Sequence, residues 1–130
     1  MGVAHKNTAS GAGVSNPATS AETVIYTTPA LQMGQGEGSV GITGTVNVTP
    51  GTGTTAIVLR VRQGTLTGPL LGVALTHTVA AGAVQSITFG ATDNTDFLQQ
   101  PGGGVYVITA QQTGGTANGT TNAVDVEVIV

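Results

Sequence analysis

The chain has 130 residues, and only 7% of them are charged, with three Lys or Arg and six Asp or Glu; soluble domains commonly carry about 25%. Its cations are Lys6, Arg60 and Arg62 and its net charge is -3, so it lacks the basic surface that binding to DNA or RNA requires, and we expect no nucleic-acid partner. It has no cysteine, which excludes disulfides and thiolate metal sites, and no apolar run of about 18 residues, so we expect no membrane span. Because interface cores are the surfaces depleted in charge, the composition predicts a component of an assembly.

Residues 1–21 consist mainly of Gly, Ala, Ser, Thr and Asn without apolar periodicity. Such a segment buries too little apolar surface to offset its ordering entropy, and it lacks the apolar stretch of a signal peptide. We therefore predict a retained, flexible N-terminal arm over 1–21 and a single β-sandwich domain over 22–130. Segments of this kind often order on a partner. The candidate partner contacts are Val3, His5, Asn7, Val14, Asn16 and Pro17.

From Glu22 onward apolar residues recur with a period of two, which predicts β-strands. The predicted strands cover 23–28, 39–49, 55–63, 73–79, 84–90, 105–111 and 123–130. Gly41 and Gly44 interrupt the second strand and indicate a bulge, a bend or a close backbone approach. The turn at 50–53 predicts that 55–63 is the second half of a hairpin. Residues 105–108 are apolar on both faces, which favours a central strand.

Seven or eight strands separated by Gly, Pro, Asn and Asp turns, without a helical stripe, predict an all-β fold. A two-sheet antiparallel β-sandwich of jelly-roll type buries one apolar face of each strand and protects the sheet edges. Periodicity alone leaves a Greek-key sandwich and a barrel as open alternatives. The sequence therefore predicts the fold class but leaves the order of the strands within the sheets open.

Motifs for catalysis are weak. The G-x-G-x-x-G match at 36–41 opens a predicted strand, whereas a dinucleotide loop opens a helix. The two histidines are His5 and His77, and His77 shares its strand face with Val73 and Leu75, which favours a core or interface histidine over a general base. We expect no enzymatic activity, no catalytic residue and no cofactor.

One acidic turn contains Asp93, Asn94 and Asp96. Oxygen ligands at this spacing suit calcium, but the run lacks the Gly and the bidentate Glu of an EF-hand loop. Side-chain hydrogen bonding within an Asx-turn explains the same residues without a metal. We therefore expect no metal site here.

Carboxylates also alternate along the last predicted strand, at Asp125 and Glu127, as cations do at Arg60 and Arg62. We expect these residues to be solvated or to form cross-strand ion pairs with one another. A sugar-binding face usually presents aromatic rings, whereas this chain has no Trp and only two Tyr, both in predicted strands. Glycan recognition is therefore an alternative rather than the first expectation.

Four segments carry a resemblance to a known group of proteins: 24–29 (VIYTTP), 57–64 (IVLRVRQG), 104–108 (GVYVI) and the closing strand 123–130. Their order resembles small jelly-roll structural proteins of tailed bacteriophages, particularly capsid decoration (cement) proteins. The resemblance implies a protein on the outer surface of the virion, favoured as a trimer, whose partners are the major capsid protein and copies of itself. The alternatives are a capsid-forming jelly roll, a tail or fibre module, and a host-surface (glycan) binding module.

Overall fold

The chain folds into two antiparallel sheets, and the segments with a period-two apolar pattern form strands within them. The computed structural model describes residues 3–10, 14–17, 20–33, 39–80 and 83–130. Its strands are β1 (Val3–Ser10), β2 (Val14–Asn16), β3 (Thr23–Thr27), β4 (Val40–Thr49), β5 (Ala56–Gln63), β6 (Leu75–Thr78), β7 (Gln85–Asp93), β8 (Tyr106–Thr113) and β9 (Gly119–Ile129), with a 3-10 turn at Phe97–Gln99 before β8. Within these residues no helix is long and apolar enough to cross a membrane.

The five-stranded sheet has the order β1-β9-β4-β7, with β2 also paired to β9, and the four-stranded sheet has the order β3-β8-β5-β6. Every strand pairing is antiparallel. Among the described strands, β5 and β6 are the only neighbours in sequence that pair with each other. The chain otherwise passes repeatedly between the sheets, and the fold is an antiparallel β-sandwich of jelly-roll type, as the sequence predicts.

The core lies between the two sheets and is built from the faces that the alternation predicts. Central strand β8 lies between β3 and β5, and Tyr106, Val107 and Ile108 are buried on it, which confirms the prediction for 105–108. Burial of one such side chain contributes about 1.5 to 3 kcal/mol. The inward residues of β4, β5 and β9 are all buried: Val40, Ile42, Val46, Val48, Ile57, Leu59, Val61, Val124, Val126 and Val128.

The predicted hairpin between 39–49 and 55–63 is wrong. Strand β4 pairs with β7 and β9, whereas β5 pairs with β6 and β8. Their connection turns where the Thr54 amide donates to the Gly51 carbonyl (3.1 Å) and then crosses to the opposite sheet, about 10 Å away. A Cβ at Gly51 would overlap the backbone of Ala117, so this crossing requires glycine. A turn signal does not distinguish a return beside the same strand from a crossing between sheets.

The N-terminal segment differs from the expected arm, because its described residues form strands. Strand β1 pairs with β9 from Val3 opposite Ile129 onward, and β2 pairs with the start of β9. The described strands therefore number nine rather than seven or eight. The physical reason is that β9 offers a row of backbone donors and acceptors that a polar segment can pair without an apolar face. That a partner orders this segment stays a prediction.

Candidate functional site

The predicted partner contacts lie where the N-terminal strands meet the rest of the sandwich. Val3 is 59% exposed, whereas the imidazole Nε2 of His5 lies 2.6 Å from the Tyr26 hydroxyl and the two rings stack. This contact joins β1 of one sheet to β3 of the other, and burial raises the pKa of Tyr26. Val14 packs against the core, and the carbonyl of half-buried Pro17 accepts a hydrogen bond within the chain.

The two predicted asparagines fasten the N-terminal strands to β9. The Asn7 amide group donates to the Val124 carbonyl (2.8 Å) and accepts from the Val126 amide (2.9 Å), as a stretch of backbone would. Asn16 is 0% exposed and exchanges hydrogen bonds with the Thr121 hydroxyl at 3.0 and 3.2 Å. Of the six predicted contacts only Val3 is largely exposed. Their role in binding a partner stays a prediction.

A strap, residues 20–22, leads into β3 at the edge of the four-stranded sheet and is held by an ion pair. Arg62 binds the Glu22 carboxylate with two hydrogen bonds of 2.7 and 2.9 Å, Arg60 lies 3.5 Å from it, and the Thr109 hydroxyl donates to it (2.6 Å). These groups are largely shielded from solvent, and the hydrogen bond from Arg62 is the main reason that the pKa of Glu22 lies below its usual value. Because bidentate pairs between Arg and a carboxylate fix geometry, the strap has one defined position.

The predicted pairing of Arg60 and Arg62 with Asp125 and Glu127 is wrong. The arginines lie on β5 and the carboxylates on β9, so they belong to different sheets, and the Glu127 carboxylate instead lies 3.7 Å from the Lys6 ammonium group. Sequence reasoning gave Glu22 no role. The sequence alone offered no signal for it, because the lack of an acidic residue in β3, β6 and β8 becomes informative only once these strands are known to share a sheet with β5.

The acidic turn is a structural anchor. Asp93 is 1% exposed and accepts hydrogen bonds from the Thr95 amide and hydroxyl (2.8 and 2.6 Å), the Tyr106 hydroxyl (2.7 Å) and the Gln63 amide (3.0 Å). Burial alone would raise the pKa of Asp93, but these donors together lower it, while burial and the nearby carboxylate raise the pKa of Tyr106. The bond from Thr95 is the Asx-turn that the sequence offers as an alternative to a metal.

Metal-binding and catalytic chemistry find little support in the described part of the chain. Within it, no group of three His, Asp or Glu side chains is placed to hold a metal ion. His5 lies on β1 and His77 on β6, at edges of different sheets. Residues 36–38 of the glycine motif lie outside the described residues, and β4 begins at Val40. The glycine motif therefore leads into a strand, as predicted.

A shallow polar groove of about 250 Å³ lies on the outer face of the five-stranded sheet. Its walls carry Lys6, Asp125 and Glu127 together with threonine hydroxyls of β4. Its floor includes Gly44, where a Cβ would overlap the backbone of Asp125 and the Phe89 ring. Of the predicted alternatives, a close approach is therefore found at Gly44, whereas a Cβ at Gly41 would meet nothing within 4 Å. Hydroxyl, ammonium and carboxylate groups together suit a small polyhydroxylated ligand.

The opposite side of the sandwich, where β6 and β7 are the edge strands, is uncharged. The sequence from 64 to 92 contains no Asp, Glu, Lys or Arg. His77 is half-buried beside it, so the prediction of a core histidine fits less well than that of an interface histidine. Five large apolar side chains are exposed on this side: Leu66, Leu70, Val73, Leu75 and Val84. We call this surface, formed by β6, β7 and the loop 64–74, the open side.

Comparison with known proteins shows that the fold of this chain is similar to that of several solved structures. No protein-family model and no curated protein matches the sequence. A VP2 subviral particle of infectious bursal disease virus matches with a TM-score of 0.62 at 12% identity, over 96% of this chain and 31% of that chain. The Gt strain of the same virus gives a TM-score of 0.61 at 9% identity, over 96% and 33%. This chain thus spans about a third of the length of those viral chains, and its fold is a viral capsid-like β-sandwich.

A second kind of protein shares the fold. The EclA C-terminal domain, described as a sugar-binding protein, matches with a TM-score of 0.51 at 13% identity, over 91% of this chain and 79% of that domain.

The matches to the viral chains confirm the expected resemblance at the level of the viral capsid jelly roll. The finer resemblance to tailed-phage decoration proteins stays a prediction.

Proposed function

We propose that this protein is a viral structural protein, a capsid decoration (cement) protein that binds the outside of a phage head and stabilises the shell. The observation that carries the proposal is the near-complete match to capsid domains, which covers 96% of this chain. The scarcity of charge supports it as well, because surfaces buried against neighbours are depleted in charge. The protein's partners would be the major capsid protein and further copies of itself.

The N-terminal segment supplies a mechanism for clamping. Strand β1 forms one edge of the five-stranded sheet, and Val3 at its start is exposed. Because β1 carries Lys6 and shifts register twice against β9, features that oppose the addition of a further strand, the contact we propose is made by the Val3 side chain rather than by an added strand. Many symmetric copies, each with a weak contact, bind strongly through avidity.

The test uses heads assembled without the protein. Shells should form in its absence and then bind the added protein in a saturable manner, measured by co-sedimentation. Val3→Asp places a charge on the exposed start of β1 and should lower occupancy at least about tenfold, because a desolvated unpaired charge costs several kcal/mol. Asn94→Asp, at an exposed position of the acidic turn outside both edge surfaces, is the matched control. Shells that do not form without the protein would indicate a capsid-forming jelly roll instead.

The polar groove favours one second candidate, a host-surface glycan-binding module. The fold match to a sugar-binding domain and the hydrogen-bonding groups on the groove wall support it. Titration with a panel of free oligosaccharides should then give saturable binding that Thr45→Val weakens. Saturable binding to cells with no affinity for heads would favour this candidate over the first.

A further inference from the structure

Strand β6 has a backbone edge without a partner in the described residues. The Val79 amide donates to the Thr55 carbonyl (3.1 Å), and His77 lies opposite Ile57 on β5. In an antiparallel ladder, successive residues direct their backbone groups alternately toward and away from the neighbouring strand. Thr76 and Thr78 therefore direct their N–H and C=O groups away from β5, where the described part of the chain places no strand.

This edge has one of the usual protections against pairing and lacks the others. Natural edge strands are kept very short, carry Lys, Pro or a bulge, or are covered by a loop, and of these features β6 shows only its length of four residues. Strand β6 reads Leu-Thr-His-Thr, and its pairing with β5 shows no register shift. Its neighbour Val73 is 85% exposed. A regular, uncharged edge beside exposed apolar groups is suited to strand addition.

We propose that β6 pairs with β6 of a second copy of this chain, antiparallel about a two-fold axis through His77. In this register Thr76 faces the partner's Thr78 and exchanges both backbone hydrogen bonds with it, and symmetry repeats the pair. His77 then lies opposite the partner's His77 as a pair without backbone hydrogen bonds, at the closer of the two antiparallel spacings. This single pairing gives a hydrogen-bond partner to the outward-facing N–H and C=O groups of Thr76 and Thr78 in both copies.

The lack of charge on the open side favours a second copy of this chain as the partner of β6. A partner that brings Lys or Glu onto the open side would bury a charge without a free counter-charge, since 64–92 contains none. Arg62, which reaches the loop 64–74 through the Gly68 carbonyl (3.0 Å), is already paired with Glu22, and an unpaired buried charge is costly. The open side of another copy brings no such charge. Self-complementarity is also what a two-fold interface requires.

This contact goes beyond the proposed function, because it joins copies whether or not they bind a capsid. It gives a dimer, whereas the phage resemblance favours a trimer. Sedimentation equilibrium of the isolated full chain should therefore show a concentration-dependent monomer–dimer equilibrium. A trimeric mass, or a monomer at all accessible concentrations, would overturn the pairing and leave the capsid proposal untouched.

A cross-link tests the register directly, because the natural chain has no cysteine. The variant His77→Cys places two thiols opposite each other at a spacing close to that of a disulfide. Mild oxidation should yield a covalent dimer at least about tenfold faster than for Thr88→Cys, a matched change at an exposed position of β7. Equal rates would contradict the proposed register.

A proline tests the hydrogen bonds. Thr78→Pro removes an N–H group that faces away from β5, so it spares the pairing with β5. Dimerisation should weaken about tenfold or more, whereas Thr78→Val, which keeps the N–H group, should leave it within about threefold of the natural chain. Unchanged dimerisation in the folded proline variant would contradict the proposal.

Discussion

The two lateral sides of the sandwich differ in how their edge strands are held: on one side, side-chain contacts fasten them, and on the other they are exposed. On one side, which we call the closed side, β1, β2 and β3 are tied down by Asn7, Asn16 and the strap, whose Glu22 reaches across the four-stranded sheet to Arg60 and Arg62 of β5. On the open side, β6 and β7 end the sheets with exposed apolar groups and no charge. The ion pairs of Lys6 with Glu127 and of Glu22 with Arg62 thus help to hold the first part of the chain in place. The neutral side is left for a neighbour.

The contrast between the two sides shows that the scarcity of charge is concentrated on the open side. A charge spread evenly would solubilise both sides, whereas here the open side relies on Thr, Ser and Gly. Its exposed apolar residues form a patch of the kind that marks interaction sites. Loss of a side-chain contact that fastens the closed side should therefore reduce stability, and changes on the open side should affect association between copies of the chain.

The largest expected effect follows from Asn16 on the closed side. Asn16→Ala leaves the buried Thr121 hydroxyl without its partner and should lower the free energy of unfolding by about 2 kcal/mol, measured by urea denaturation. Asn94→Ala, at an exposed position of the acidic turn, should change it by less than about 0.5 kcal/mol. Equal effects of the two variants would contradict the anchoring role of Asn16.

A smaller effect follows from Glu22, and it depends on pH. Glu22→Gln should cost about 1 to 2 kcal/mol near neutral pH, because it removes a shielded bidentate ion pair. The pKa of Glu22 is lowered by folding from its ordinary value of 4.5, so its contribution is complete above that value and is lost as the pH falls through the folded-state pKa. The difference between the natural chain and the variant should therefore shrink in acid.

The matched control for Glu22 is Glu127→Gln. Glu127 pairs at 3.7 Å with Lys6, whose side chain is 66% exposed, and exposed pairs contribute less than about 1 kcal/mol. Denaturation of both variants across a pH series makes the comparison. A Glu22 effect that persists unchanged in acid would mean that the carboxylate acts through packing rather than through charge.

The smallest effect on stability is expected on the open side. Val73→Ser and Val84→Ser remove exposed apolar groups and should each change the free energy of unfolding by less than about 0.5 kcal/mol, when measured at concentrations too low for association. A loss of 2 kcal/mol in either variant would mean that these side chains already pack within one copy. The two sides would then differ less than we infer.

The local parts of the fold could be predicted from sequence, and the long-range parts could not. Val40, Ile42 and Val46 alternate with threonine and asparagine, so their burial follows from the period of a strand alone. Strand β1 was missed because Asn7 and its polar neighbours show no apolar face, and what holds them is the edge of β9, far along the chain. Backbone pairing of this kind leaves almost no trace in side-chain pattern.

The candidate site shows the same limit. Glu22 and Arg62 are 40 residues apart, and their pairing depends on which sheet β5 joins. The hairpin predicted for 55–63 places this strand in the wrong sheet, and the spacing of the charges alone does not reveal the partner of the arginines. The Asx-turn at Asp93 was predictable, because its donor lies two residues away.

The contrast between the closed and open sides is tested most directly by amide hydrogen exchange of the isolated chain at low and high concentration. The account predicts that the amides of Thr76 and Thr78 exchange more slowly as concentration rises, while those of β1 and β2 are unchanged. Concentration-dependent protection confined to β1 and β2, with β6 unaffected, would contradict it.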